Sequence, residues 1–171
     1  MTRTPMLDAK DGDLYFDFPD AVSQEPFDDE ATFGSTTIQP VDFIVDFEKH
    51  YVFVEVKDPD KPIVANPGAI LAKLKDGRLI WKLAGKYRDS RFFFEFQQRP
   101  QKPVHYVVVL SWAKLDQALL LAKTDELKRA IPISHSSHKS PCLDHCIILN
   151  LDQFKKRFGE GCVWRKSDYE K

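Results

Sequence analysis

The middle of the chain is organised by runs of apolar residues with two different periods. Residues 41–47 (VDFIVDF) read as a strand, and residues 51–57 (YVFVEVK) as a second strand rich in β-branched and aromatic side chains. Glu48, Lys49 and His50 form a tight polar connection between them, and Pro59 closes the second strand because proline cannot continue a ladder. The period then changes. Asn66 is placed to cap a helix with Pro67 at its first position, and Ile70, Leu71, Leu74, Leu79, Ile80, Leu83, Ala84 and Tyr87 recur at helical spacing. Gly77 kinks or breaks that helix, and residues 91–98 fit either its end or a strand. The continuous apolar run at residues 107–110 predicts a strand buried on both faces. A helix over residues 116–131 follows, with Leu119, Leu120, Ala122 and Leu127 facing the core. Beyond a polar loop, a buried strand over 145–151 leads to a short helix over 152–158 that ends at Gly159. Upstream, residues 20–25 read as one short helix, and the acidic, aromatic first 20 residues as loosely ordered. Hairpin, helix, strand, helix, strand, helix describes an α/β layered domain with a mixed sheet.

The hairpin pattern carries more than a fold. Side chains alternate faces along a strand, so a pairing register decides which residues share a face. A two-residue loop pairs Glu48 with Tyr51 and puts Phe43, Val45, Phe47, Val52, Val54 and Val56 together on one face. A slip by one residue mixes them with Asp42, Asp46 and Glu55, so burial selects the first register. Asp42, Glu55 and Lys57 then share the opposite face, with Asp42 across from Lys57 and Glu55 one pleat repeat away. Two carboxylates and an ammonium are costly to gather there without a purpose. Carboxylates of this kind suit Mg²⁺, which takes one or two of them and completes its shell with waters and phosphate oxygens.

These residues resemble a known superfamily. Pro40-Val41-Asp42, followed 13 residues after Asp42 by Glu55-Val56-Lys57, is similar to the PD-(D/E)XK motif of restriction-endonuclease-like nucleases, over roughly residues 21–110. Val41 separates the proline from the aspartate, so the Pro-Asp pair is not intact. The resemblance implies an α/β fold with a restriction-endonuclease-like three-layer core, a mixed central sheet flanked by helices. It also implies a nuclease that hydrolyses phosphodiester bonds. Asp42 and Glu55 would bind Mg²⁺, with Mn²⁺ as substitute, helped by the carbonyl of Val56, and Lys57 would act on the attacking water. A further acidic residue comes from the first helix in many members; Glu25 is the candidate here, with Glu30 behind it.

Charge and composition narrow the setting. The 171 residues fit one domain, and 43% hydrophobic content supports a core without staples. With 25 basic and 26 acidic residues the formal charge is -1, so any nucleic-acid site is a local patch rather than a global field. Lys75, Arg78, Lys82 and Lys86 recur at spacings of three and four and form such a patch if a phosphate backbone lies along them; a solvated helix face fits the same spacing. DNA ranks ahead of RNA as the expected partner. His135, His138, Cys142, His145 and Cys146 cluster within twelve residues as zinc ligands can, though no Cys-x-x-Cys is present. The glycines are scattered, which excludes a phosphate-cradling loop, and Ser134, Ser136 and Ser137 lack the third member of a hydrolytic triad. The first 19 residues lack the apolar core of a leader, and the aliphatic runs at 107–110 and 119–122 are far short of a membrane span, so no membrane partner is expected. Three cysteines point to reduced thiols in a cytoplasm. The competing reading is a non-catalytic interaction domain on the same scaffold, with a protein partner or a second copy. Near-zero charge and 13 Phe, 5 Tyr and 3 Trp favour it.

Overall fold

A computed structural model describes residues 6–10, 12–61, 66, 68–133, 135–140 and 143–169. The predicted Pro67 at a helix start lies outside them, as do Ser134 and Cys142. A five-stranded mixed sheet forms the centre, built from β3 (Ser23–Pro26), β4 (Phe43–Asp46), β5 (Tyr51–Lys57), β6 (Val104–Leu110) and β7 (His145–Leu149) in that spatial order. β3, β4 and β5 pair antiparallel, whereas β5, β6 and β7 pair parallel. The architecture is α/β, with helices flanking the sheet. Among the described residues no helix is long and apolar enough to cross a membrane.

Both faces of the sheet are buried, which is why β6 is apolar without alternation. On one face Ile44, Phe53, Tyr106 and Val108 pack against α3 (Arg78–Phe96) and α4 (Gln117–Ala130) through Leu83, Tyr87, Leu120 and Leu127. On the other, Val45, Val52, Val54, Val107 and Val109 pack against Phe154 of α5 (Leu151–Phe158) and against a second sheet. That sheet has three strands, β1 (Leu7–Asp8), β2 (Leu14–Phe16) and β8 (Val163–Arg165), all antiparallel.

Several expectations are corrected. Residues 20–25 do not form a helix: Ser23–Pro26 are β3, paired with β4 from Ser23↔Asp46 to Pro26↔Phe43. The Gln24 side chain anchors this strand, accepting from the Phe18 amide at 2.7 Å and donating to Asp17 Oδ1 at 3.0 Å. Among the described residues before β3, Leu14 and Phe16 are fully buried between the two sheets. The first hairpin strand is shorter than residues 41–47. Its pairs run Phe43↔Val54 to Asp46↔Tyr51, so partner numbers sum to 97 rather than to the expected 99 (48 + 51). The loop therefore spans residues 47–50, closed by the Phe47 amide donating to the His50 carbonyl at 2.9 Å. A shift of two residues leaves every side chain on its predicted face.

Gly77, at φ 84, breaks the predicted long helix into α2 (Gly68–Lys75) and α3. α3 then continues to Phe96, so residues 91–96 are its last turns and 97–98 form the turn after it, with Gln98 at φ 51. It also clamps the approach to β4: Ser90 Oγ accepts from the Val41 amide at 2.8 Å, and Asp89 accepts from the Gln39 amide at 3.1 Å. At the other end of the hairpin, Asp58 directly follows β5 and is fully buried. It accepts from Arg165 Nη1 at 2.8 and 2.7 Å, from the Asp13 amide at 2.8 Å and from Ser111 Oγ.

Candidate active site

Asp42 immediately precedes β4. Extending the observed register by one step (97 − 42 = 55) places it opposite Glu55, not opposite Lys57 as a two-residue loop requires. This brings the two carboxylates closer in register than the sequence pattern predicts. Asp42 also ends the ladder. The Tyr51 amide donates to Pro103, and the Lys57 carbonyl accepts from Ser111, so odd positions of β5 point their backbone groups at β6. Even positions point at β4 by alternation. Val56 is the last of these, and its amide donates to Asp42 Oδ2 at 2.6 Å. The Val56 carbonyl is directed to the same side as that amide.

Glu55 is fully buried, and its charge is met from two directions. Lys57 Nζ lies 2.7 Å from Oε1, two residues along the same strand face. Lys86 Nζ, reaching down from α3, lies 2.8 Å from Oε1 and 2.9 Å from Oε2. Burial together with the facing Glu55 charge pushes the Asp42 carboxyl up to about 7, against the opposing pull of the Lys86 and Lys57 ammoniums and the Val56 N–H. Burial also pushes the Tyr106 hydroxyl well above its ordinary range, with Glu55 adding to the effect; that hydroxyl donates to the Leu83 carbonyl at 3.0 Å behind the site.

This donor set fits a hard divalent cation. Asp42 and Glu55 face each other at one strand end, and a carboxyl held up by burial and a neighbouring carboxylate is a place where added positive charge is stabilising. Among the described residues no group of three or more His, Cys, Asp or Glu side chains converges to hold a metal, so any ion here relies on waters or substrate oxygens for the rest of its shell. A small cleft lined by Asp8, Lys10, Pro26, Asp28, Asp42 and Phe43 opens beside Asp42.

The remaining sequence candidates are placed differently. Glu25 lies on β3 opposite Ile44, one pleat repeat or about 7 Å along the sheet from the Asp42 position. Its carboxylate pairs with Arg99 at 2.5 Å, so it does not join Asp42 and Glu55. Glu30 is exposed at the first position of α1 (Glu30–Phe33). The basic stripe is not one helix face: Lys75 ends α2, and Arg78 opens α3 in an exposed pair with Asp76 at 2.6 Å. Lys82 is exposed, but Lys86 belongs to the Glu55 network. Sequence reasoning missed that role, although Lys86 sits between the core positions Leu83, Tyr87 and Ser90, which was the available signal.

His145 and Cys146 are consecutive on β7 and so face opposite sides of the sheet. Cys146 is in the core, its thiol pushed up to about 12 by burial, while His145 packs beside His105 at 5.5 Å between rings. His135 and His138 are exposed in a loop.

Comparison with known proteins gives no match: no family model, no curated protein and no solved structure corresponds to this chain.

Proposed function

We propose that this protein is a metal-dependent nuclease of the restriction-endonuclease-like, PD-(D/E)XK type, hydrolysing phosphodiester bonds in DNA or RNA. One observation carries the reading: Asp42, Glu55 and Lys57 share one face at the end of an antiparallel hairpin, with Asp42 in register with Glu55 and Lys57 2.7 Å from it. Asp42 and Glu55, with the Val56 carbonyl, would hold Mg²⁺ or Mn²⁺; when bound, such an ion supplies Lewis-acid stabilisation of the phosphate and a more acidic water. Lys57 holds its ammonium where it can orient a water and offset charge on the phosphate. Lys86 meets the Glu55 carboxylate from the helix side, at 2.8 and 2.9 Å.

A second reading rests on the same network. Both Glu55 oxygens already hold ammonium groups, as they would in a non-catalytic scaffold whose ion pairs serve folding alone. Calorimetry and cleavage separate the two. Mg²⁺ or Mn²⁺ should bind the wild type but not Asp42→Ala. A panel of single- and double-stranded DNA and RNA should be cut by the wild type, and Lys57→Ala should keep metal binding while losing about a hundredfold or more in rate. Absence of metal binding in the wild type, or equal cutting by the variants, favours the scaffold reading.

A further inference from the structure

The outer pole of α3 is unusual for a solvent-facing helix. Trp81, Gly85, Arg88, Phe92 and Phe96 follow one another at spacings of four and three, on the side opposite the core positions Leu83, Tyr87 and Phe94. Trp81 is 76% exposed, Phe92 60% and Phe96 73%, three of the largest apolar side chains left uncovered among the described residues. The glycine between them has no steric cause within the chain: a Cβ at Gly85 would meet only Arg88 Nη2, at an ordinary 3.6 Å. A glycine inside an exposed helix costs about 1 kcal/mol relative to alanine. Here it leaves an open step beside the Trp81 ring.

The start of α3, where Trp81 sits, and the end of α2 before it carry an excess of positive charge. Between residues 73 and 89 there are six basic residues (Lys73, Lys75, Arg78, Lys82, Lys86, Arg88) and two acidic residues, Asp76 and Asp89, a balance of +4 in a chain whose total is -1, with Arg78 paired to Asp76, Arg88 3.8 Å from Asp89 and Lys86 turned to Glu55. Two copies meeting through this face would bring like charges together, so the charge argues against a second copy as its occupant. It favours a polyanion, and exposed aromatic rings among cations suit one kind of polyanion in particular. In a duplex the base faces are stacked on each other. In a single strand they are free to stack on aromatic side chains while phosphates follow the lysines.

The pole is also tied to the candidate active site. Lys86, whose ammonium contacts Glu55, lies five residues after Trp81, and at 1.5 Å per residue that is about 7.5 Å along the helix axis, close to one nucleotide step of an extended strand. Lys82 lies one turn before Lys86 and next to Trp81 in sequence. We propose that α3 is a stacking platform for single-stranded nucleic acid, with a base on Trp81 and its phosphates along Lys82 toward the Asp42–Glu55 site. The inference rests on the nuclease reading for its orientation and names the substrate class that reading leaves open.

The test uses full-length protein in chelator, so that binding is read without cleavage. Oligothymidylate is titrated while tryptophan fluorescence and anisotropy of a labelled strand are followed, beside a duplex of mixed sequence. Oligothymidylate should quench fluorescence and bind more tightly than the duplex. Trp81→Ala should remove the quench and weaken single-strand binding by about five- to a hundredfold, with duplex binding unchanged. Trp81→Phe should restore most of the affinity, and unchanged thermal melts will show that the exposed substitutions leave the fold intact. Equal loss for strand and duplex, no single-strand binding, or Trp81→Ala converting a dimer to a monomer without affecting oligonucleotide binding would each overturn the proposal. Binding that persists in a protein that cuts nothing would remove the nuclease reading and leave the platform standing. Cutting of duplex with no Trp81 dependence would do the reverse.

Discussion

Asp42 carries a carboxyl whose burial is costly to the fold. Its carboxyl is held at about 7 by burial and by the Glu55 charge, above the ordinary 3.8. The protonated form is favoured in the folded state, so its stabilising contribution is fully present below pH 3.8 and is lost as pH rises through 7. Above 7 the folded protein carries a buried, ionised Asp42 opposite Glu55, a cost that Lys57 and Lys86 offset only in part. Asn at this position keeps an oxygen for the Val56 amide and removes the charge. Asp42→Asn is therefore expected to be more stable than the wild type at pH 8, by about 1 kcal/mol, with the difference shrinking toward pH 4. Urea unfolding in chelator at both pH values measures it. If Asp42 and Glu55 hold Mg²⁺ as proposed, added Mg²⁺ should raise the midpoint of the wild type alone. A variant less stable than wild type at pH 8 would mean that the Asp42 charge is already compensated. Residues 42, 55 and 57 were legible from sequence because alternation on a strand is a local rule that survives a two-residue error in register. Lys86 was not, because its partner depends on how α3 is rotated against the sheet.

The strands differ in legibility for a physical reason. β5, β6 and β7 are buried on both faces, so their apolar runs are dense and hard to mistake. β3 carries Gln24, Glu25 and Pro26; it is a strand because β4 offers it an edge and Asp17 and Phe18 satisfy Gln24, which are contacts no local pattern announces. The parallel pairing of β5, β6 and β7 brings together at one end of the sheet three histidines that the sequence scatters. His50 stacks on His105 at 4.4 Å, and His105 meets His145, with Arg157 Nη1 3.2 Å from His145 Nε2. Burial, then the neighbouring His50 and His145 and the Arg157 cation, lower His105 to about 4, against a smaller upward pull from Asp144; Lys102 adds to the positive charge beside His50. A folded value below the ordinary 6.5 means that the neutral ring is favoured, so the stability it supports is intact above pH 6.5 and is lost as pH falls toward 4. His105→Phe keeps a ring in the stack and cannot take a proton. Its unfolding midpoint should fall less than that of the wild type between pH 7 and pH 4.5. Parallel decline of the two proteins would assign the acid sensitivity to other groups.

At the scale of the whole molecule, the strand end beside the candidate site is held by a contact from the far end of the chain. Asp58 follows Lys57, is fully buried, and holds Arg165 of β8 in a two-oxygen pair across 107 residues of sequence, while the Asp13 amide and Ser111 complete its shell. The small sheet of β1, β2 and β8 is therefore fastened to the strand end that carries Lys57. Nothing in the sequence marks this, since each strand of that sheet is only two or three residues long. Removing one member of a buried ion pair strands the other, at a cost of about 3–5 kcal/mol, whereas replacing both by neutral groups costs far less. Arg165→Met should accordingly lose about 3 kcal/mol in urea unfolding. Asp58→Asn combined with Arg165→Met should recover a substantial part of that loss, because the side-chain amide can accept from the Asp13 N–H and donate to Ser111 Oγ without a stranded charge. The coupling also reaches the site. If the pair fixes the end of β5, metal affinity measured by calorimetry should fall in Arg165→Met under conditions where the variant remains folded, and the double variant should regain it together with stability. A metal affinity indifferent to Arg165, in a folded variant that has lost the expected stability, would confine the pair to holding the two sheets together and leave the Asp42–Glu55 geometry to the hairpin and α3.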